Sequence, residues 1–253
     1  MIKYKQYVIG ADMQKILLTK IRLSWYLIFF LVLFNVLVYV LPDVKFTAAA
    51  LTLFSVNSFL YGFYIAPILA GQKTRIEEMH KTIRNETNAL FAIMLQVKKL
   101  PEHLRKPLKD LIEAYIRVGL VKGNLKKGEE KYEEIITFCM DSKPKDEKEI
   151  APILDKIVAN QQNRTLFHMQ MKNGVYSNEW IIMFTLFSIT LGFILLIDTG
   201  NSAMFNIVTA FLCTGLSMLL VVLTKLSTLT HKKAKQMWNP PKKLLETHFY
   251  RFD

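Results

Sequence analysis

The chain has 253 residues, 51% of them hydrophobic, with 10 Gly and 8 Pro, and it combines a mean hydropathy of +0.21 with a formal net charge of +12. A soluble domain of this size is about 45–50% apolar, so a chain both apolar on average and strongly basic keeps the two properties in different segments. That excludes disorder, a collagen-like chain, a secreted disulfide scaffold and an ordinary cytosolic enzyme.

Four runs carry the hydropathy. Leu23–Leu41, Phe46–Ala70, Trp180–Ile197 and Ser202–Thr224 contain 19, 25, 18 and 23 residues without a charged side chain. About 20 residues cross a ~30 Å hydrocarbon core at ~1.5 Å per residue. The first run exceeds the about 7–15 apolar residues of a signal peptide, and cleavage near Ala48–Ala50 would fall inside the second run. All four therefore read as transmembrane helices, and the fold class is an all-α polytopic membrane protein.

Orientation follows from lysine and arginine. Lys3, Lys5, Lys15, Lys20 and Arg22 precede the first span, 20 basic residues lie between Gln72 and Asn178, and seven follow Thr224, whereas the two short connections hold only Lys45. Basic residues stay on the cytoplasmic side. Both termini and the middle segment are thus expected inside the plasma (inner) membrane, with Pro42–Lys45 and Asp198–Asn201 outside. Trp25 and Trp180 fall near the cytoplasmic edges of their spans, where an amphipathic indole prefers to sit. The expected division is an N-terminal segment (1–22), spans one and two (23–70), a cytoplasmic helical domain inserted between spans two and three (71–178), spans three and four (179–224) and a basic tail (225–253).

From Gln72 to Lys99, Ile76, Met79, Ile83, Thr87, Leu90, Met94 and Val97 recur at spacings of three and four, which places them on one stripe of a helix that continues the second span. A break is expected at Leu100-Pro101, because proline disfavours helical geometry in the residue before it. A second helix then carries Leu104, Leu108, Leu111, Ile112, Tyr115 and Val118 and ends at Gly119, Gly123 and Gly128. Glu129–Met140 reads as a short helix with Tyr132, Ile135, Ile136 and Cys139 inward. The last helix runs from about Glu147 into the third span with Ile150, Ile153, Leu154, Ile157, Val158 and Gln161 on one side.

Catalytic signatures are missing: there is no phosphate-binding glycine loop, no H-E-x-x-H and no C-x-x-C. Glu77-Glu78-Met79-His80 holds one Glu-x-x-His, where a di-iron site needs two and two further glutamates, so it reads as a solvated charge face. Cys139 and Cys213 lie in different environments and suit neither a disulfide framework nor a metal site. His103, His168, His231 and His248 are scattered singly. No enzyme, cofactor, metal or nucleic-acid partner is expected.

The second span carries the functional signal. Thr52, Ser55, Asn57 and Ser58 lie together, followed by Phe59, Gly62, Phe63, Tyr64 and Pro67. Ser55, Phe59 and Phe63 are spaced i, i+4, i+8 and form one slowly turning stripe. A ring of such helices would present a polar level and then two phenylalanine collars to a central axis, and apolar constrictions gate channels by expelling water. Phenylalanines four apart also suit lipid or helix contact, and spacing alone leaves both readings open.

The segment Ser58-Phe59-Leu60-Tyr61-Gly62-Phe63-Tyr64-Ile65 resembles the S-F-x-x-G-F-Y-x segment of bestrophins, pentameric channels whose neck is ringed by apolar side chains of the second span. The layout is similar as well: four spans, cytoplasmic termini and a helical segment between spans two and three. The resemblance implies neck positions at Ser55, Phe59 and Phe63. Ser55 departs from the family's apolar residue and would make that level wetter. After the fourth span, Lys225, His231, Lys232, Lys233 and Lys235 stand where calcium-activated members carry acidic residues, and a hard cation needs carboxylates, so calcium gating is not carried over.

The expected function is a bestrophin-like homo-oligomeric channel, a pentamer as the resemblance implies, with Thr52, Ser55, Phe59 and Phe63 lining the pore. Its partners are copies of itself, ions and anionic lipid touching Lys232, Lys233 and Lys235. The middle segment's 20 basic against 15 acidic residues lean toward anions if they face a vestibule. The alternative is a membrane-anchored signalling or scaffold protein whose helical segment binds a partner; a lysis-type effector is a third, without a trigger domain. A cysteine introduced at Asp43 is expected to react with an impermeant thiol reagent outside intact cells and one at Lys122 not to react; labelling at Lys122 would overturn the orientation.

Overall fold

The computed structural model describes residues 21–121, 125–198, 200, 202–231 and 236–246. The basic residues of the first 20 positions, Lys122, Gly123 and the tail lysines Lys232, Lys233 and Lys235 lie outside the described residues. Among those described the structure is helical and has no strand. Its elements are α1 (Leu23–Val40), α2 (Ala48–Val97), α3 (Glu102–Tyr115) with a π-turn (Ile116–Val121), α4 (Leu125–Met140), α5 (Glu147–Lys172), α6 (Ser177–Leu196), α7 (Ala203–Ser227), a 3-10 turn (Gln236–Trp238) and α8 (Asn239–Glu246). Four helices are long and apolar enough to cross a membrane: α1, α2, α6 and α7, as suits an integral membrane protein.

The chain forms two compact units, one of Met1–Thr74 with Gly174–His231 and one of Arg75–Asn173 with Lys232–Asp253. In the first, Phe34 of α1 packs on Ala210 and Cys213 of α7, where small side chains admit the ring; Phe30, Leu37, Leu191, Ile194 and Leu195 close around them. Tyr61 and Ile65 of α2 form a second cluster with Met183 of α6 and Leu220 and Leu223 of α7. Ala210 and Ser217 are buried as small contact residues, but Gly215 has open space around its Cα. The two short connections meet at one end: the Val44 amide donates to the Leu196 carbonyl at 2.8 Å and the Asp198 amide to the Val44 carbonyl at 3.2 Å. Elsewhere in this unit Lys225, itself buried, donates from Nζ to the Ile21 carbonyl at 2.6 Å and lies 5.1 Å from the Tyr26 ring centroid.

The second unit is built on the expected stripe. Ile76, Met79, Ile83, Thr87, Leu90, Met94 and Val97 are all buried, because one face of α2 supplies them at helical period. The helix stops before Leu100-Pro101 as expected, and α3 buries Leu104, Leu108, Ile112 and Tyr115. Tyr132, Ile135 and Cys139 of α4 and Ile150, Ile153 and Ile157 of α5 complete the core with Leu244 of α8. Burial pushes the Cys139 thiol up to about 11, which keeps it a thiol at neutral pH.

Three expectations need correction. Gly119 does not end the second helix, because α3 passes into the π-turn that contains it, and Gly128 lies inside α4, which begins at Leu125 and not at Glu129; Gly123 lies outside the described residues. Gly119 and Gly128 are there to let two backbones touch, since a Cβ on Gly128 would sit 2.7 Å from the Gly119 Cα. The inward face of α5 also turns differently. Val158 is 55% exposed and Gln161 is exposed, while Asn160, Arg164 and Phe167 are buried. Finally, α5 does not run into the third span; it ends at Lys172 and α6 starts at Ser177. Arg75 stabilises that end by donating from Nε to the Gln170 carbonyl at 2.7 Å and from Nη2 to the Met171 carbonyl at 3.2 Å, satisfying C-terminal carbonyls that have no helical partner. Glu179 then accepts the Tyr176 amide at 2.9 Å to open α6.

Trp238 lies edge-on to Phe167, with ring centroids 5.7 Å apart, so the tail residues 236–246 pack on the second unit of their own chain. Gly128→Ala is expected to lower stability by ~1–3 kcal/mol through backbone overpacking, more than its ~1 kcal/mol gain in helix propensity. Gly192→Ala, with nothing within 4 Å, should be neutral or mildly stabilising. Thermal unfolding of the detergent-solubilised chain checks both.

Candidate functional site

The sequence-predicted residues share the charge-free part of α2. Thr52, Ser55, Phe59 and Phe63 are all exposed in the single chain, Phe59 at 69% and Phe63 at 71%. The two rings stack, with centroids 6.0 Å apart and planes 19° from parallel. Thr52 donates its hydroxyl to the Ala48 carbonyl and Ser55 to the Leu51 carbonyl, both at 3.0 Å. Each hydroxyl proton is thus consumed by the helix's own backbone, leaving Ser55 with acceptor lone pairs only on the open side.

What frees that face is the packing of the others. Tyr61 and Ile65 point into the core of the first unit, Tyr64 is half-buried against it, and Leu60 is exposed at 45%. Asn57 ties α2 to α6, its amide donating to the Thr190 hydroxyl at 2.8 Å and the Leu186 carbonyl at 3.1 Å. The Ser58 and Tyr61 hydroxyls are buried beside this contact with no hydrogen-bond partner. Among the described residues, no group of three or more His, Cys, Asp or Glu gathers as a metal site; Glu77 and Glu78 are exposed and Met79 between them and His80 is buried in the core.

A second polar constellation, not anticipated from the sequence, lies in the second unit. Glu86 of α2 is 1% exposed and accepts a hydrogen bond from the Tyr115 hydroxyl of α3. Arg164 of α5 lies with its guanidinium carbon 3.7 Å from the Tyr132 ring centroid and 5.3 Å from that of Tyr115, which favours the cation over both ring faces. Its Nη2 reaches Glu129 at 2.8 Å and its Nη1 donates to Gln161 at 2.7 Å. His168 Nδ1 is 3.2 Å from the other Glu129 oxygen. Tyr132 donates to the Ile157 carbonyl at 2.6 Å and accepts from the Asn160 amide at 3.2 Å.

Burial pushes the Glu86 carboxyl up to about 7, against the opposing pull of the Tyr115 hydrogen bond and the Arg164 charge. Burial likewise raises Tyr115 and lowers His168. The available signal was that Asn160 and Arg164 continue the Ile150, Ile153, Ile157 series at helical spacing; polar side chains at inward positions are read as solvated unless their partners are known.

No protein-family model matches the chain, and no curated protein and no solved structure matches it. The Asn57 contact is the testable anchor of the exposed face. Asn57→Ala and Thr190→Val should each lower stability, and their double-mutant cycle should show a coupling of ~0.6–1.7 kcal/mol, the range of hydrogen bonds between membrane helices, in reversible unfolding from mixed micelles.

Proposed function

We propose that the chain is the subunit of a bestrophin-like homo-oligomeric ion channel, a pentamer in the plasma (inner) membrane with cytoplasmic termini, and that the charge-free part of α2 lines its pore. The observation that carries this reading is the division of labour around α2. One face is committed to packing through Asn57, Tyr61 and Ile65, while Thr52, Ser55, Phe59 and Phe63 stand exposed on a single stripe with the two rings stacked. Around an axis, that stripe supplies a hydroxyl-bearing level and two dry collars. Narrow apolar collars hold back ions because water leaves them, and the ion cannot keep its hydration shell.

The charge distribution supports the same reading. The segment from Gln72 to Asn178 carries 20 basic against 15 acidic residues, which raises the local concentration of anions along a vestibule it lines. Permeation is passive and anion-leaning, since the four charge-free runs contain no ionised group for a proton relay or voltage sensor.

Phe59→Ala and Phe63→Ala should each widen and wet a collar and raise conductance or open probability severalfold in reconstituted bilayers. Leu60→Ala and Tyr64→Ala, displaced by ~100° on the helix, should respond less. Equal effects at all four positions, or silence at Phe59 and Phe63 in a correctly assembled oligomer, would overturn the pore assignment and favour a membrane anchor for a binding domain.

A further inference from the structure

The second unit concentrates ionisable side chains where α2, α3, α4 and α5 meet, and the charges do not balance pairwise. Two carboxylates, Glu86 and Glu129, lie near one guanidinium, Arg164, and that guanidinium is engaged by Glu129 at 2.8 Å. Glu86 is held by the Tyr115 hydroxyl, a neutral donor. The cavity at this point measures about 10 Å³ and is lined by Glu86, Tyr115, Gly119, Gly128, Arg164 and His168, so it is at the lower edge of what holds a single water. Among the described residues a bare carboxylate there has neither bulk solvent nor a dedicated counter-charge, and a buried ion in that position either takes up a proton or acquires a partner.

We propose that Glu86 is a proton-binding site whose occupancy decides which carboxylate holds Arg164. With the proton on Glu86, the guanidinium stays on Glu129. When the proton leaves, the carboxylate of Glu86 draws Arg164 across the cavity that both side chains line, and Glu129, the less buried of the two acids, turns to solvent.

The other groups facing Glu86 fit these roles. From α3 comes Tyr115, from α4 Glu129 and Tyr132, and from α5 Arg164 and His168; the π-turn contributes Gly119 and Leu120 to the cavity wall. Burial raises both tyrosines, Tyr132 to about 12, so neither ionises near neutrality. Burial lowers His168, which His168→Gln tests separately, and pushes Glu86 up to about 7. The sign follows: its proton is held below about pH 7 and lost above it. Tyr115 ends α3 and the π-turn starts at the next residue, a feature often found at functional positions. Trp238, edge-on to Phe167 three residues from Arg164 in sequence, reports on the same wall.

The test uses the full chain in detergent and reads the protonated carboxyl C=O stretch by infrared difference spectroscopy between pH 5 and 9. The wild type should show a buried carboxyl band that disappears with a midpoint near pH 7 and is absent in Glu86→Gln. Tyr115→Phe, which removes a donor to the charged form, should move the midpoint up by about one unit. Glu129→Gln, which removes a like charge and frees Arg164, should move it down by a similar amount. His168→Gln should retain the transition. In a Trp25→Phe/Trp180→Phe background, Trp238 emission should change with the same midpoint as the band. A band that survives Glu86→Gln or vanishes with His168→Gln overturns the proposal, as do shifts of the opposite sign. Flat Trp238 emission across the titration overturns the exchange of Arg164. If Glu86→Gln does not fold, the two midpoint shifts decide the question.

Discussion

Helix α2 supplies buried side chains to both compact units, and that double role constrains its sequence more than any other in the chain. Its 50 residues carry two successive surface codes. Up to Ala70 it has no charge, and it buries Tyr61 and Ile65; from Ile76 it buries a seven-residue stripe through Val97 together with Glu86, while Glu77, Glu78 and Lys81 are exposed. A continuous backbone ladder lets the two codes share one element, since the intrahelical hydrogen bonds satisfy the amides whichever solvent surrounds them. Pro67 interrupts one bond without ending the helix, as is tolerated where neighbouring groups resatisfy the backbone.

Polar side chains are satisfied in two ways, locally and across the fold. In the apolar helices of the first unit, Thr52, Ser55, Thr185, Thr190, Thr214 and Thr224 all donate to the carbonyl four residues earlier. This local solution needs no partner helix, and it hides a hydroxyl proton that hydrocarbon would penalise. Asn57 is different, since it has two donors and spends them across the α2–α6 contact. In the second unit Thr82, Thr87 and Thr165 use the same local bond, but Glu86, Tyr115, Tyr132, Asn160, Arg164 and Glu129 come from four helices and find their partners across the fold.

These two solutions bear on function in different ways. Because the hydroxyls of Thr52 and Ser55 are already bonded within α2, the stripe they share with Phe59 and Phe63 makes no claim on the rest of the chain. That stripe is therefore available to face lipid, another copy or an axis, and the proposed channel takes the last of these. The buried cluster has the reverse character: its side chains come from four helices, and Glu86 and Glu129 lie near the single guanidinium of Arg164.

Much of this was legible in the residues. Charge-free runs of sufficient length read directly as apolar helices, and the stripe from Ile76 to Val97 read correctly at every position because side chains three and four apart share a helix face whatever they pack against. The break at Leu100-Pro101 is equally local, since the proline ring acts on its own neighbour. The errors fell where the deciding atoms are distant in sequence. Gly119 and Gly128 looked like helix terminators because glycine's backbone cost is local, whereas their use, letting two helices touch at Cα distance, depends on both being placed. Gln161 looked inward, and nothing local marked Arg164 for burial, because an arginine is buried only where partners are supplied; only folding brings Glu129 and the rings of Tyr115 and Tyr132 to it. The end of α5 at Lys172 likewise depends on Arg75, nearly a hundred residues earlier, reaching its carbonyls. Sequence by itself determined the four apolar helices and the buried stripe of α2, because those follow from covalent neighbours and hydration. The tertiary structure alone decided which polar groups are buried together, because that depends on partners no local pattern specifies.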